Sequence, residues 1–409
     1  MKKTYDVYGL IIPAIIYVSD DTVMFGTNSN QILIYLKYLV LMAIAAYLFV
    51  QKKQYKSTMV SACCITMCTL IIFSSLINSD LRLGLLYKMV ILALSCLITQ
   101  VISLKDFAVG FEKFIYFLAC CSIVGYSIVL FAPAILEFFP KITNTANCDF
   151  YNLVFYTQDV HLRRIVRNAG CFREAGVFQM FLNLALIFQI YFLDKFNIKH
   201  FVVIIVALVL TFSTTGFAVL SLVILMFLLS KKSNSINKKT KFFILTLMAI
   251  SVVLLVFKTD IFSMEGILLS KFQQDDNESS IARISSITTN IEIWRQNPLF
   301  GAGLQIDDLY SRITFAQYGI ITEHNTNTFF YELACWGVFY FFIMMLGVIK
   351  FSGRVGTTLF EYLLLFMVLV FFSIGEKLVF SPFFYILIFY GYNKIASANN
   401  PTYIVSKKR

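Results

Sequence analysis

The stretch 201–229 reads FVVIIVALVLTFSTTGFAVLSLVILMFLL and contains no charged side chain. At 1.5 Å of rise per residue, a single helix of this length would be longer than the roughly 30 Å of a bilayer's hydrocarbon core. The sequence Ser213-Thr-Thr-Gly216 divides the run in the middle, and glycine with small polar residues favours a turn. We therefore predict two short membrane helices that meet at a turn within this stretch.

The composition of the whole chain agrees with a membrane protein. Hydrophobic residues make up 59% and charged residues 14% of the 409 residues, and the mean hydropathy is +0.77. These values exclude an ordinary soluble domain. Apolar runs long enough to cross a bilayer recur along the chain, and a backbone in lipid must satisfy its own hydrogen bonds, which favours helices. The runs are continuous rather than alternating, which excludes an outer-membrane β-barrel. We predict an all-α polytopic membrane protein with about 12 transmembrane helices.

Lysine and arginine are concentrated in short connections between the apolar runs, which indicates that these connections face the cytoplasm. The basic connections are 51–56, 103–106, 194–200, 231–241 and 350–354. With both termini on the cytoplasmic side, two long polar stretches fall on the outer side. We name them polar loop 1 and polar loop 2. The predicted organisation is transmembrane helices 1–5 (1–133), polar loop 1 (134–174), transmembrane helices 6–9 (175–257), polar loop 2 (258–325), and transmembrane helices 10–12 with a cytoplasmic tail (326–409).

Several common functions are disfavoured by the distribution of polar residues. The net charge of +11 does not indicate nucleic-acid binding, because the basic residues form no patch with interleaved aromatic residues. The three histidines lie far apart and the nine cysteines show no metal-ligand spacing, so we expect neither a metal site nor a cofactor. The acidic run 275–278 is typical of a solvated turn, with cation binding as the lesser alternative. Cys148 and Cys171 lie in polar loop 1, either as a disulfide or as two unpaired thiols.

Polar loop 1 carries a basic cluster that breaks the positive-inside trend. The cluster comprises His161, Arg163, Arg164 and Arg167. Arginines on the outer side fit an anionic ligand such as a phosphate, and contact with anionic lipid headgroups explains Arg163 and Arg164 about as well. The Arg173-Glu174 pair stands at the mouth of the sixth apolar run, where ionisable side chains are costly unless they are used or paired. This position favours function, with a structural ion pair as the alternative.

Polar loop 2 contains five basic and nine acidic side chains between Lys258 and Glu323. Within it, Ser280 is positioned to cap an interfacial amphipathic helix, and Asn297-Pro298 is expected to end that helix. Its apolar positions recur at helical spacing: Ile281, Ile284, Ile287, Ile291 and Trp294. Arg283 lies on its first turn. The motif 298–303, Pro-Leu-Phe-Gly-Ala-Gly, is typical of a tight turn and only weakly of a phosphate loop.

Further candidates in polar loop 2 lie beyond this helix and at its end. Arg295 and Arg312 are possible ligand-binding residues, with a solvated surface as the alternative for each. His324 precedes the tenth apolar run, and its place in the same loop as Arg283 favours a general base or acid over a purely interfacial histidine.

Four segments together resemble the bacterial O-antigen polymerase and O-antigen ligase family. They are GCFREAGVFQMFLNLAL at 170–186, FSTTGFAVL at 212–220, ARISSITTNIEIWRQNPLFGAG at 282–303 and HNTNTFFYELACWGVFYFF at 324–342. Their order and the two polar loops between the spans agree with the family over most of the chain. The resemblance implies the fold of the membrane glycosyltransferase C superfamily and a place in the bacterial inner (plasma) membrane.

The same resemblance implies a chemistry and a set of residues. Such enzymes take a glycan from an undecaprenyl-diphosphate carrier at the outer face of the membrane and pass it to a sugar hydroxyl. The family's loop arginines correspond to Arg173 and Arg283, and its histidine to His324, with Glu174 as the alternative base. Substrate binding is then expected from the remaining polar candidates: Arg163, Arg164, Arg167, Arg295, Arg312 and Asn325. Where the ligases have Gly-Asn-Pro, this chain has Arg-Glu-Ala at 173–175, which is more like the polymerases of capsule and exopolysaccharide clusters.

We therefore expect a metal-independent polymerase of polyprenyl-diphosphate-linked oligosaccharide repeat units, embedded among membrane lipids. A flippase and a chain-length regulator of the same pathway are possible partners. A ligase that transfers the glycan to another acceptor is the first alternative. A lipid-linked oligosaccharide flippase is the less favoured one, because it predicts charges in the middle of the spans. Lys88 and Lys113 lie near span ends and are expected to snorkel to the membrane surface.

Overall fold

The computed structural model describes residues 2–51, 57–161, 166–230, 246, 278–318 and 325–393. Most of this chain is helical. In chain order the helices are α1 (Lys2–Tyr17), α2 (Gln31–Gln51), α3 (Thr58–Ile77), α4 (Leu83–Val101), α5 (Leu104–Phe131), α6 (Ala175–Tyr191), α7 (Ile198–Val209), α8 (Thr214–Leu229), α9 (Glu278–Gln296), α10 (Ile306–Tyr318), α11 (Thr328–Val355), α12 (Leu359–Gly375) and α13 (Pro382–Tyr392). Three short strands are β1 (Lys141–Thr143), β2 (Asp149–Asn152) and β3 (Thr157–Asp159).

Among the described residues, helices α2, α3, α4, α5 and α11 are long and apolar enough to cross a membrane. Helices α6, α7, α8, α12 and α13 are apolar but shorter. The prediction of a helical membrane protein with several spans is therefore confirmed. The number twelve stays a prediction, and nearly all of the predicted ninth span, 242–257, lies outside the described residues.

The predicted break within 201–229 is confirmed. Helix α7 ends at Val209 and α8 begins at Thr214. Ser213 is the N-cap of α8, and its hydroxyl accepts a hydrogen bond from the backbone N–H of Gly216 at 3.2 Å. A short polar side chain thus satisfies an N–H group that the new helix leaves unpaired.

The chain divides into two compact units. Unit 1 consists of Met1–Val40 and Lys105–Ser270, and unit 2 consists of Leu41–Leu104 and Lys271–Arg409. Unit 1 is built around α6, which is buried from Ala175 to Ile190 and packs against α7 and α8.

Polar loop 1 belongs to unit 1 and folds into a three-stranded antiparallel sheet in the order β1-β2-β3. Tyr151 at the centre of β2 pairs with Lys141 on one side and Gln158 on the other. The purely α-helical expectation did not include this sheet, because its strands are only three or four residues long. Segments this short carry too little periodicity to be recognised.

Unit 2 is organised around α11, which packs against α13, α12, α9 and α3. Its helical conformation is interrupted at Gly337, where φ is 80° and ψ is −177°. The turn at 298–302 fills the interruption, since Val338 N–H donates to the carbonyl of Pro298 at 3.0 Å and Ala302 N–H to that of Ala334 at 2.9 Å. A side chain at Gly337 would collide with the carbonyl oxygen of Leu299. In the 298–303 motif, a Cβ at Gly301 would lie 2.4 Å from the backbone of Cys335 and Gly303 has a φ of 64°, so the backbone conformation and packing explain both glycines.

The prediction that Lys88 snorkels is wrong. Its side chain in α4 is 0% exposed, and its Nζ donates to Glu332 Oε1 at 2.6 Å and to the carbonyl oxygen of Val379 at 2.6 Å. It also donates to the hydroxyl of Tyr385, which in turn donates to Glu332 Oε1 at 2.6 Å. The ammonium group finds its partners inside the unit, so it has no need to reach the surface. Lys113 in α5 is exposed.

Candidate active site

The segment around Arg173 in unit 1 is fixed by backbone hydrogen bonds to the chain that follows α1. Arg173 N–H donates to the carbonyl of Asp21 at 2.9 Å, and Val23 N–H donates to that of Cys171 at 3.0 Å. Between these bonds, the ring of Phe172 is buried, with its centroid 4.6 Å from that of Phe181 on α6. Arg173 is half-buried at the entrance to α6. The hydrogen-bonded backbone therefore fixes the position of Arg173 near the N-terminus of α6.

Glu174 is the N-cap residue of α6, and its side chain is exposed and makes no capping hydrogen bond to the helix. A carboxylate at this position is favoured by the helix dipole. Glu174 therefore remains chemically accessible beside Arg173, as a proton acceptor must be.

The chain before Arg173 is held by the buried side-chain amide of Asn168. Asn168 is fully buried, its side-chain amide donates to the Ser122 hydroxyl at 3.1 Å, and its side-chain oxygen accepts from Gly170 N–H at 3.1 Å. The neighbouring Arg167 is exposed, and its Nε donates to the carbonyl of Thr211 at 3.1 Å. Arg167 is thus anchored beside the break between α7 and α8. The predicted candidates Arg163 and Arg164 lie outside the described residues.

Both cysteines of polar loop 1 are free thiols. Cys171 is buried, and this burial raises the pKa of its thiol to about 12, because an apolar environment disfavours the thiolate. Of the two alternatives for Cys148 and Cys171, the structure has the unpaired thiols.

In unit 2, the helix predicted within polar loop 2 is present as α9 and ends at Gln296, as Asn297-Pro298 predicted. Its start differs from the prediction. Ser280 lies within the helix rather than at its cap, because the helix already includes Glu278.

The face of α9 that packs into unit 2 is mostly polar. Its fully buried positions are Ser285, Ser286, Thr289, Asn290 and Ile293. Ile287, Ile291 and Trp294, from the predicted apolar stripe, are only half-buried. A helix that turns polar groups toward protein and apolar groups away from it suits a membrane interface.

The buried polar groups of α9 find partners on neighbouring elements. Thr289 shares a hydrogen bond with Thr314 of α10 at 3.2 Å. Asn290 and Asn325 form a reciprocal amide pair, with N–O distances of 3.1 and 3.0 Å. This pair attaches the chain just before α11 to α9. Asn325, a predicted substrate-binding residue, is thus hydrogen-bonded to α9, and its role in substrate binding stays a prediction.

Of the predicted catalytic positions in polar loop 2, position 283 lies on α9. Position 283 is two helical turns from Asn290, so the two positions share one face of α9. His324 directly precedes Asn325 in the sequence but lies outside the described residues. The amide pair thus ties the chain next to His324 to the helix that carries Arg283.

The other two arginines of this loop are on the surface. Arg295 is exposed and lies 3.5 Å from the Glu292 carboxylate, one turn earlier on α9. Arg312 on α10 is also exposed. Both positions fit the solvated-surface alternative, and a role of either in substrate binding stays a prediction.

The candidate residues are thus divided between the two units. Arg167, Arg173 and Glu174 belong to unit 1, whereas positions 283, 295, 312 and 325 belong to unit 2. Sequence reasoning missed Asn168 and Asn290, which hold the two loops. The available signal was position alone, since Asn290 lies within one of the family-typical segments and Asn168 lies two residues before another.

Part of the chain matches a known protein family. Residues 200–345 match the family model described as O-antigen ligase. This match confirms the resemblance to the O-antigen polymerase and ligase family. The matched residues include positions 283 and 324 and the break before α8, whereas Arg173 lies before them. No curated protein matches the chain.

The match supports an enzyme that transfers glycans, and the apolar helices support a multi-pass membrane protein.

Proposed function

We propose that the protein polymerises polyprenyl-diphosphate-linked oligosaccharide repeat units into a surface polysaccharide at the outer face of the bacterial inner membrane. The observation that carries this proposal is the family match over residues 200–345, which contains Arg283 and His324. The Arg-Glu-Ala sequence at 173–175 favours polymerisation over ligation, because the ligases have Gly-Asn-Pro there.

The proposed reaction is a direct displacement at the anomeric carbon. The hydroxyl oxygen of the acceptor sugar attacks this carbon and forms the new glycosidic bond, while the bond to the diphosphate oxygen breaks. The diphosphate departs with the electron pair, and the configuration at the anomeric carbon inverts. The acceptor proton passes to His324 or, as the alternative, to Glu174. The leaving group is already activated, so no protein nucleophile is required.

In this mechanism Arg173 and Arg283 stabilise the charge of the departing diphosphate. Guanidinium groups suit this role because they remain charged and form paired hydrogen bonds to phosphate oxygens. The fixed backbone at Arg173 supports the proposal, since electrostatic catalysis depends on groups that are already in place.

One assay distinguishes polymerisation from ligation. The purified protein is given isolated lipid-linked repeat unit without any other acceptor. A polymerase converts it into a ladder of longer lipid-linked products. A ligase makes no ladder and needs a separate acceptor. If only unchanged substrate is recovered from protein shown to be folded, the proposal of polymerisation fails.

Transport is the second candidate, because the buried Lys88–Glu332 pair places charges within the helices of unit 2. A flippase moves the intact lipid-linked unit across the membrane and forms no glycosidic bond. An assay in reconstituted vesicles that carry the substrate in one leaflet distinguishes transport from polymerisation. Redistribution of unextended substrate would support transport, whereas extension of the glycan supports the enzyme.

A further inference from the structure

Large apolar side chains are exposed where α5 ends and polar loop 1 begins. Phe131 is the last residue of α5 and is 84% exposed. The 3₁₀-helix Pro133–Phe138 follows in the same unit, and its residues Ile135 and Phe138 are also exposed, Phe138 by 88%. We call Phe131, Ile135 and Phe138 the apolar patch. Large apolar side chains that are exposed together mark an interaction surface.

The fold fixes the direction in which this patch faces. Side chains three residues apart lie on the same side of a 3₁₀-helix, so Ile135 and Phe138 face the same way. Leu136, between them, is buried in a cluster with Tyr126 and Tyr156. Because Leu136 occupies the inner side of the short helix, Ile135 and Phe138 are held away from the protein.

The exposed side of α5 leads directly to the patch. Phe117, Val124 and Phe131 are exposed and recur at intervals of seven residues, so they lie along one side of the helix. No charged residue lies between Lys113 and Glu137. At 1.5 Å per residue, Phe131 lies about 27 Å along α5 from Lys113, and a bilayer's hydrocarbon core is roughly 30 Å thick. A hydrocarbon core that begins at Lys113 therefore ends at the level of the patch.

The polar residues beside the patch fit a membrane surface. Lys141 begins β1 and is exposed, and its Nζ lies 5.2 Å from the centre of the Tyr151 ring. Lysine and tyrosine suit the boundary between lipid and water, because the ammonium group reaches lipid phosphates and the ring lies among the headgroups. Glu137 is exposed on a different side of the 3₁₀-helix from Ile135 and Phe138, so its carboxylate does not have to enter the lipid.

We propose that the apolar patch inserts into the interfacial layer of the phospholipid bilayer and anchors polar loop 1 to the membrane surface. Lipid is the occupant that the structure favours, because the patch continues the side of α5 that already faces lipid. Hydrogen bonds extend the anchor into the sheet and beyond it. Asn152 N–H donates to the carbonyl of Pro140 at 2.9 Å, and Thr157 N–H donates to that of Gly170 at 2.8 Å. The anchored 3₁₀-helix thus also holds the chain that leads to Arg173.

Site-specific photocrosslinking tests the anchor. The photoreactive amino acid p-benzoylphenylalanine replaces Phe138 and keeps an aromatic ring at that position. The same replacement at Val124, on the exposed side of α5, is the positive control. Replacement of Ala146, which is exposed between β1 and β2, is the negative control. The full chain is irradiated in nanodiscs of one defined phospholipid, and the adducts are identified by mass spectrometry.

We expect position 138 to form phospholipid adducts at a yield close to that of position 124 and several times that of position 146. A lipid yield as low as that of position 146 would overturn the proposal, and so would adducts mainly between two copies of the chain.

A second measurement compares the melting temperatures of Phe138→Asp and Phe138→Leu in the same nanodiscs. A carboxylate in the interfacial layer is unfavourable, so we expect the aspartate variant to melt at a lower temperature than the leucine variant. An aspartate in water at a position this exposed would have little effect. Equal melting temperatures of the two variants would therefore contradict insertion.

Discussion

The substitution Lys88→Met tests whether the ion pair in unit 2 supports the fold. Methionine keeps much of the length of the side chain and removes its charge. The change leaves the Glu332 carboxylate without its counter-ion, and the Val379 carbonyl oxygen loses its donor at 2.6 Å. Removal of one partner from a buried pair costs about 3–5 kcal/mol. Because both side chains are 0% exposed, solvent screening does not reduce this value, and we expect a loss in the upper half of that range.

The free energy of unfolding is measured by titrating the purified protein in mixed micelles with a denaturing detergent, followed by circular dichroism. Lys113→Met is the control, because Lys113 is exposed, and it should change the free energy by no more than about 0.5 kcal/mol. The double variant with Glu332→Gln should cost less than the sum of the single variants by at least about 1 kcal/mol. Our reasoning is refuted if Lys88→Met is no more destabilising than Lys113→Met, or if the two changes at the pair are additive.

Three further predictions concern other contacts. Gly337→Ala should destabilise the protein by about 1–3 kcal/mol in the same unfolding assay, because φ is 80° at this position. Gly353→Ala on the same helix should be neutral or stabilising, because the nearest heavy atom to an added Cβ lies 3.7 Å away. The raised pKa of Cys171, about 12, predicts slow alkylation of this thiol at pH 8 in the folded protein and rapid alkylation after unfolding; equal rates, measured by mass spectrometry, would contradict its burial. Since this pKa is raised, the contribution of the thiol to stability is present below about pH 8.5 and is lost as the pH rises toward 12. Asn290→Ala should lower the free energy of unfolding by about 1–3 kcal/mol, because it leaves the amide of Asn325 unpaired. Replacing Asn325 as well should lower it by less than the first change did. A larger second loss would argue against the reciprocal pair.

The sequence was sufficient where local chemistry decides the structure. The break before α8 follows from Ser213 and Gly216, and the end of α9 follows from Asn297-Pro298, because caps, turns and prolines act on their immediate neighbours. Membrane helices are likewise predictable from the length of an apolar run, whichever part of the protein the helix contacts.

Features that depend on distant residues could not be predicted. The position of Lys88 near a span end suggested snorkelling, but its partner Glu332 lies 244 residues further along the chain. The interruption of α11 at Gly337 likewise depends on the turn at 298–302, which occupies the opening. A single glycine within an apolar run does not indicate which backbone approaches it.

The candidate site was only partly accessible to sequence reasoning. Family-typical motifs pointed to Arg173 and to position 283, and the structure holds the backbone of both in ordered segments. The supporting amides Asn168 and Asn290 were missed, because an asparagine in an apolar or polar run gives no local sign of whether it is buried.

The central claim, glycosyl transfer supported by two arginines, is tested most directly by the initial rate at which isolated lipid-linked repeat units are extended. Arg173→Ala and Arg283→Ala are compared with the wild-type protein and with Lys113→Met, all purified as folded, membrane-inserted proteins. We predict that each arginine variant loses about 100-fold or more of the rate, as expected when one group that stabilises a transition-state charge is removed, and that Lys113→Met keeps it. Extension at the wild-type rate by either arginine variant would contradict the account.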